Sequence, residues 1–147
     1  MKRFAYILTI LMAGMLASCM HNGGDIGYLF GQWRLEQVER DGIVSECDTV
    51  FFAFQSDVFL IRKVMYDSYD YTVSKGLYEH IDNSLKLNIY NHNGIEILTK
   101  EIEEMALSDL ATLHLDTVVP LFKVVDLDNR YMTLEYNDYY YKFKKLN

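Results

Sequence analysis

Two cysteines and four histidines are the side chains of this sequence with the widest chemical reach. Cys19 ends a run that is almost wholly apolar from Phe4 to Leu16 and opens a glycine-bearing stretch, Met20 to Asp25, so its thiol lies where membrane-like sequence gives way to water-like sequence. Cys47 sits between Glu46 and Asp48. A thiol becomes a nucleophile when a cation or a helix N-terminus stabilises its thiolate. Two carboxylates do the opposite, so Cys47 reads as a small, half-buried apolar residue. His21, His80, His92 and His114 lack the close spacing of a structural zinc site and read as surface or turn residues. Asp126-Leu127-Asp128-Asn129 alternates oxygen ligands as a calcium loop does, but it lacks the glycine and the distal glutamate and reads as a hairpin turn. A Gly-x-Ser-x-Gly elbow, a phosphate loop and a dinucleotide fingerprint are all absent from the sequence. No metal, cofactor or catalytic group is expected, and the chain does not read as an enzyme.

The segment ahead of Cys19 accounts for that cysteine. Lys2 and Arg3 form a positive start, and the apolar run after them is shorter than the roughly 20 residues a membrane-spanning helix needs. Ala17 and Ser18 are small enough to admit a peptidase. Leu16-Ala17-Ser18-Cys19 resembles the lipobox of bacterial lipoproteins. The resemblance implies that residues 1–18 are a signal peptide, that the Cys19 sulfur carries a diacylglyceryl group, and that cleavage leaves Cys19 first. Residues 19–25 then form a lipidated tether, too polar and glycine-rich to pack, and the folded domain spans 26–147. Several acyl chains anchor a protein stably where one is marginal, so the membrane is the first expected partner. Met20, rather than an aspartate, follows the lipidated position; by resemblance to bacterial sorting this places the protein in the cell envelope, at the outer membrane.

Removing residues 1–18 deletes Lys2 and Arg3 and no acidic residue, which leaves 12 Lys and Arg against 21 Asp and Glu, a net charge of −9. Phosphate backbones attract clustered cations. The one basic cluster is Lys142, Lys144 and Lys145, so nucleic acid is not an expected partner. With Cys19 consumed by lipid, Cys47 has no partner for a disulfide.

About 129 residues suit one domain with one core. Twelve Tyr, eight Phe and a single Pro favour pleated, half-buried surface. Alternation predicts eight strands, near residues 32–39, 49–55, 58–65, 69–78, 84–91, 118–127, 130–136 and 139–145. Asp41-Gly42, Ser56-Asp57, Asp82-Asn83, Asn93-Gly94, Asp128-Asn129 and Asn137-Asp138 supply turn chemistry between them. Several of these linkers are two residues long, which implies antiparallel hairpins. From Thr99 to Ala111 the period changes: Ile102, Met105, Ala106 and Leu110 fall at helical spacing, opposite an acidic face, with Thr99 as N-cap. The expected fold is all-β, an antiparallel eight-stranded barrel closed to protect its edges, with one short helix before the last strands.

Gly31-Gln32-Trp33, at the start of the first strand, resembles the Gly-x-Trp motif that opens lipocalin and wider calycin barrels. The likeness extends through strand count, helix position and the ending Tyr141-Lys142-Phe143, and is greatest to the lipocalin-like domains of uncharacterised bacterial lipoproteins. It implies that the Trp33 indole plugs one end of the barrel. In the calycin pattern an arginine near the last strand stacks over that indole; here Lys142, Lys144 and Lys145 stand there. An eight-stranded barrel is just wide enough to be filled by side chains or to hold one small ligand. Inward candidates for binding a small apolar ligand are Trp33 and Leu35 on the first strand, Phe52 and Phe54 on the second, and Leu85, Leu87 and Ile89 on the fifth. Met132 and Leu134 on the seventh strand join Tyr141 and Phe143 on the eighth. The alternative is a filled barrel that serves as a non-catalytic interaction or accessory subunit of a cell-envelope complex. Its contacts, with a partner protein or a carbohydrate, would use Tyr66, Tyr69, Tyr71, Tyr78, Tyr90 and Tyr139 to Tyr141.

Overall fold

Left-handed backbone at the turns sets the architecture. Asp41-Gly42, Asn93-Gly94 and Asn137-Asp138 each have positive φ at both residues, the geometry of the two-residue turns that match the twist of antiparallel strands. The computed structural model describes residues 27–147. The expected signal peptide, Cys19 and the tether lie outside the described residues. The strands are β1 (Gly31–Arg40), β2 (Ile43–Glu46), β3 (Val50–Gln55), β4 (Val58–Met65) and β5 (Asp70–Ile81). After β6 (Ser84–His92) and the two-residue β7 (Ile95–Glu96) come helix α1 (Lys100–Asp109) and a 3-10 turn (Ala111–Leu113). Strands β8 (Leu121–Leu127), β9 (Tyr131–Tyr136) and β10 (Tyr139–Lys145) complete the order.

Eight of these strands close a barrel in the order β1-β3-β4-β5-β6-β8-β9-β10, with β10 returning to β1. Trp33 pairs with Lys145, and Val38 with Tyr141, across the closing seam. The strands β2 and β7 are additions to this set. β3 pairs with Gly31–Arg34 of β1, and β2 pairs with Gln37–Arg40 of the same strand. Between them the Cys47 N–H donates to the Glu36 carbonyl at 2.8 Å. They are thus one long strand broken at residues 47–49. Alternation does not reveal β2 because all four of its residues are exposed. The predicted start of β8 at residue 118 moves to Leu121, since Pro120 has no N–H for the ladder. The Val118 and Pro120 carbonyls still accept from Ile89 and Leu87 of β6.

Thr99 caps α1 as expected, its Oγ1 accepting from the Ile102 N–H at 3.4 Å. The expected inward face is corrected in part: Met105 is 42% exposed, and Leu107 packs partly against the core in its place. The helix itself buries only Ala106. Its continuation, Leu110, Leu113 and Leu115, enters the core and covers one end of the barrel, here called the mouth. Trp33 occupies the other end, the base.

At the Lys75/Gly76 bulge β5 approaches β6 so closely that a Cβ on Gly76 would lie 1.8 Å from the Asn88 carbonyl oxygen. Backbone on both strands would have to separate. Gly76→Ala is therefore expected to reach the upper end of the roughly 1–3 kcal/mol typical of overpacking, measured by urea unfolding. An unchanged midpoint would show that the strands part without cost.

Candidate functional site

Two places in this fold can be read as sites: the barrel interior and the surface of the mouth. The interior holds all eleven sequence-predicted candidates. Trp33, Leu35, Phe52, Phe54, Leu85, Leu87, Ile89, Met132, Leu134, Tyr141 and Phe143 are each no more than 2% exposed. A void wide enough for even one water would leave accessible area on the residues lining it, and these residues have essentially none. Aromatic rings and aliphatic side chains share the filling. The rings of Phe52 and Phe143 lie 4.8 Å apart, Phe54 meets Tyr78 edge-on at 5.0 Å, and Phe122 meets Tyr141 edge-on at 5.8 Å. Tyr78, expected among the outward tyrosines, is buried instead and donates to the Ser56 carbonyl at 2.7 Å.

At the base, the Trp33 indole N–H donates to the Leu29 carbonyl at 2.8 Å. The Lys145 ammonium lies 4.9 Å from the indole centroid and donates to the Tyr28 carbonyl at 2.7 Å. Lysine here takes the place of the calycin arginine: it supplies a cation to the ring face and ties down the chain that enters the barrel. Burial lowers the Lys145 pKa below its ordinary value. Gly31 has φ +120, and a Cβ there would lie 2.9 Å from Lys145 Cε. The glycine of the Gly-x-Trp motif is thus required by its backbone angle, and a side chain there would also push the flexible end of Lys145 aside.

At the mouth, residues 109–116 are pinned from opposite sides of the barrel. On one side Lys63 of β4 donates to the Asp109 carbonyl at 3.1 Å, and His92 Nε2 lies 2.8 Å from Asp109 Oδ2. On the other, the Tyr141 hydroxyl donates to the Leu113 carbonyl at 2.5 Å, and the Tyr136 hydroxyl donates to the Asp116 carboxylate. Burial, with the Asp116 carboxylate second, pushes the Tyr136 phenol up to about 12. Burial raises that of Tyr141 as well.

His92 corrects the expectation that the histidines are surface or turn residues. It is fully buried, with Nδ1 2.8 Å from Ser74 Oγ and Nε2 on Asp109. The residue types are those of a serine hydrolase, but the order of exposure is inverted. In such an enzyme the serine meets the substrate; here Ser74 is 1% exposed and the carboxylate is the member nearest water. The arrangement satisfies the polar groups of a buried clasp that holds the end of α1. Sequence alternation misses it because Asn91 and His92 are both buried, which breaks the period of β6.

The mouth surface carries a pocket of about 290 Å³. Val38, Arg40 and Asp41 from the end of β1, Ile43 and Ser45 from β2, and His114 with Tyr139 line it. The His114 and Tyr139 rings are stacked at 4.2 Å and 9°. The Arg40 guanidinium lies 4.8 Å from the Tyr139 centroid, with Nη1 donating to the Tyr139 hydroxyl at 3.0 Å. Its Nε is 3.6 Å from Asp41 Oδ2. Of these residues only Tyr139 was legible as a candidate. Arg40, Ser45 and His114 come together through the β1–β2 hairpin and the residue after the 3-10 turn, and no spacing in the sequence signals that. Elsewhere Asp128 serves the expected hairpin turn, its Oδ1 accepting from the Arg130 and Tyr131 amides. Cys47 is half-buried, its Sγ 3.8 Å from Thr49 Oγ1.

A closed antiparallel eight-stranded barrel, with a Gly-x-Trp tryptophan at its base beneath a cation from the last strand, defines a protein of the calycin type. The chain belongs to the lipocalin-like domain family, whose profile matches residues 14–146. It is similar in structure to a lipocalin-like protein from Bacteroides uniformis ATCC 8492, with a TM-score of 0.67 and 24% identity over 82% of this chain and 100% of that one. It is likewise similar to an uncharacterized protein from Bacteroides eggerthii DSM 20697, with a TM-score of 0.65 and 26% identity over 80% of this chain and 99% of that one. No curated protein matches it.

Proposed function

We propose that this protein is a lipid-anchored component of the cell envelope whose lipocalin-like barrel is filled, and which works as a non-catalytic binding module through its outer, mouth-end surface. The observation that carries this reading is the interior, where eleven large side chains are at most 2% exposed. Lipocalin-like barrels commonly bind small apolar ligands, and a ligand here would need the plug at residues 109–116 to leave. The hydrogen bonds from β4, β6, β9 and β10 oppose that. The lipobox resemblance at Cys19 supports the anchor, and the outer membrane is its proposed location.

The filled interior is tested with residues 20–147 and a fluorescent apolar probe. No saturable binding is expected. Leu87→Trp, which adds an indole to a position with no exposure, is expected to lose about 1–3 kcal/mol of stability in urea unfolding. Saturable binding near one probe per chain, blocked by a Leu87→Trp variant of unchanged stability, would instead establish a hollow ligand carrier.

A further inference from the structure

We infer that the mouth pocket between the β1–β2 hairpin, His114 and Tyr139 binds a neutral carbohydrate, one sugar unit at a time. This rests on the reading that binding occurs outside the lumen and goes beyond it by naming the ligand chemistry. A sugar ring has two kinds of surface. Its faces are C–H groups, which pack on aromatic and apolar side chains; its edge is a belt of hydroxyls, each able to donate and accept.

The pocket offers both surfaces together. Val38 is buried within it, Ile43 stands at its rim 73% exposed, and the ring of His114 adds an aromatic surface. Covering Ile43 with a sugar face removes apolar area from water that the protein alone leaves exposed. Around this apolar part stand a guanidinium, a carboxylate and a hydroxyl, from Arg40, Asp41 and Ser45. A guanidinium carries five N–H donors, and the contacts to Tyr139 and Asp41 occupy only part of that fork. The side chains are also held in place before any ligand arrives. His114 is stacked on Tyr139, and Arg40 is hydrogen-bonded to the hydroxyl of the same residue, so less rotamer freedom is lost on binding.

Charge separates a neutral sugar from an anion. The one guanidinium faces Asp41 at 3.6 Å and also feels Asp138 of the neighbouring turn. A phosphate or a uronic acid would therefore meet two carboxylates for one cation, in a mature chain of net charge −9. Size restricts the ligand further. About 290 Å³ is at the low end for ligand pockets, enough for a single ring with the rest of a glycan in solvent.

The test uses the full-length lipidated chain in nanodiscs of neutral phospholipid, applied to a printed array of neutral and acidic glycans, with inorganic phosphate as competitor. Saturable binding to neutral glycans is expected, insensitive to phosphate. Arg40→Gln and His114→Asn, both at exposed positions, are each expected to weaken it at least tenfold while circular dichroism shows the barrel still folded. Absence of binding to every neutral glycan, binding confined to acidic glycans and displaced by phosphate, or binding that both variants retain would overturn the proposal. None of these results bears on whether the barrel is filled, which the apolar probe decides separately.

Discussion

Replacing Trp33 with alanine is expected to remove a large share of the protein's stability. The side chain is fully buried, and its removal takes away the largest group at the base of the barrel. Deleting a buried aromatic costs about 3–5 kcal/mol, and small domains have only about 5–15 kcal/mol to lose. Three further effects add to the cavity. The Leu29 carbonyl loses its donor at 2.8 Å, the Lys145 ammonium loses the ring face beneath it, and the chain entering β1 loses its tie to the core. A buried carbonyl left unpaired is itself a penalty. Because Trp33 is the only tryptophan, unfolding should be followed by circular dichroism rather than by fluorescence. A mutant within about 1 kcal/mol of the parent would mean that the base of the barrel does not depend on its indole.

Cys19→Ser is expected to move the protein from the membrane fraction to the soluble one. Serine keeps the size of the side chain and removes the sulfur that would carry the acyl groups. Each buried methylene contributes about 0.8 kcal/mol to membrane attachment, so losing whole chains abolishes the anchor. No helix among the described residues is long and apolar enough to cross a membrane. Labelled fatty acid should enter the parent and not the variant, and the variant's domain should melt at the parent's temperature. A parent that takes up no label yet pellets with membranes would remove the lipid from the account.

Strands whose two faces differ were plain to read. Leu85, Leu87 and Ile89 alternate with Lys86 and Asn88, and the structure buries the first set and exposes the second. Met132 and Leu134 behave alike against Thr133. The turn doublets were equally plain, because Asp-Gly and Asn-Gly tolerate the left-handed backbone that such turns need. Legibility ended where period and burial part company. β2 is exposed along its length, β6 breaks its alternation at His92, and the α1 segment inserts its continuation rather than the face of its helix. The candidate pocket lay beyond reach for a different reason. Arg40 and Tyr139 are 99 residues apart, and only closure of the barrel brings them to one place.

That closure also has a consequence in time. The seam pairs the first strand with the last, Trp33 opposite Lys145 and Glu39 opposite Tyr140. A chain made from its N-terminus cannot complete either neighbour of β10 until residues 139–145 have emerged. Until then β1 and β9 each present an unpaired edge, and Trp33 has no lysine above it. Pairing of such distant segments is slow because a long loop must close before any contact rewards it. The topology thus leaves closure of the barrel to the last strand, and until it pairs the β1 and β9 edges are the surfaces open to wrong partners.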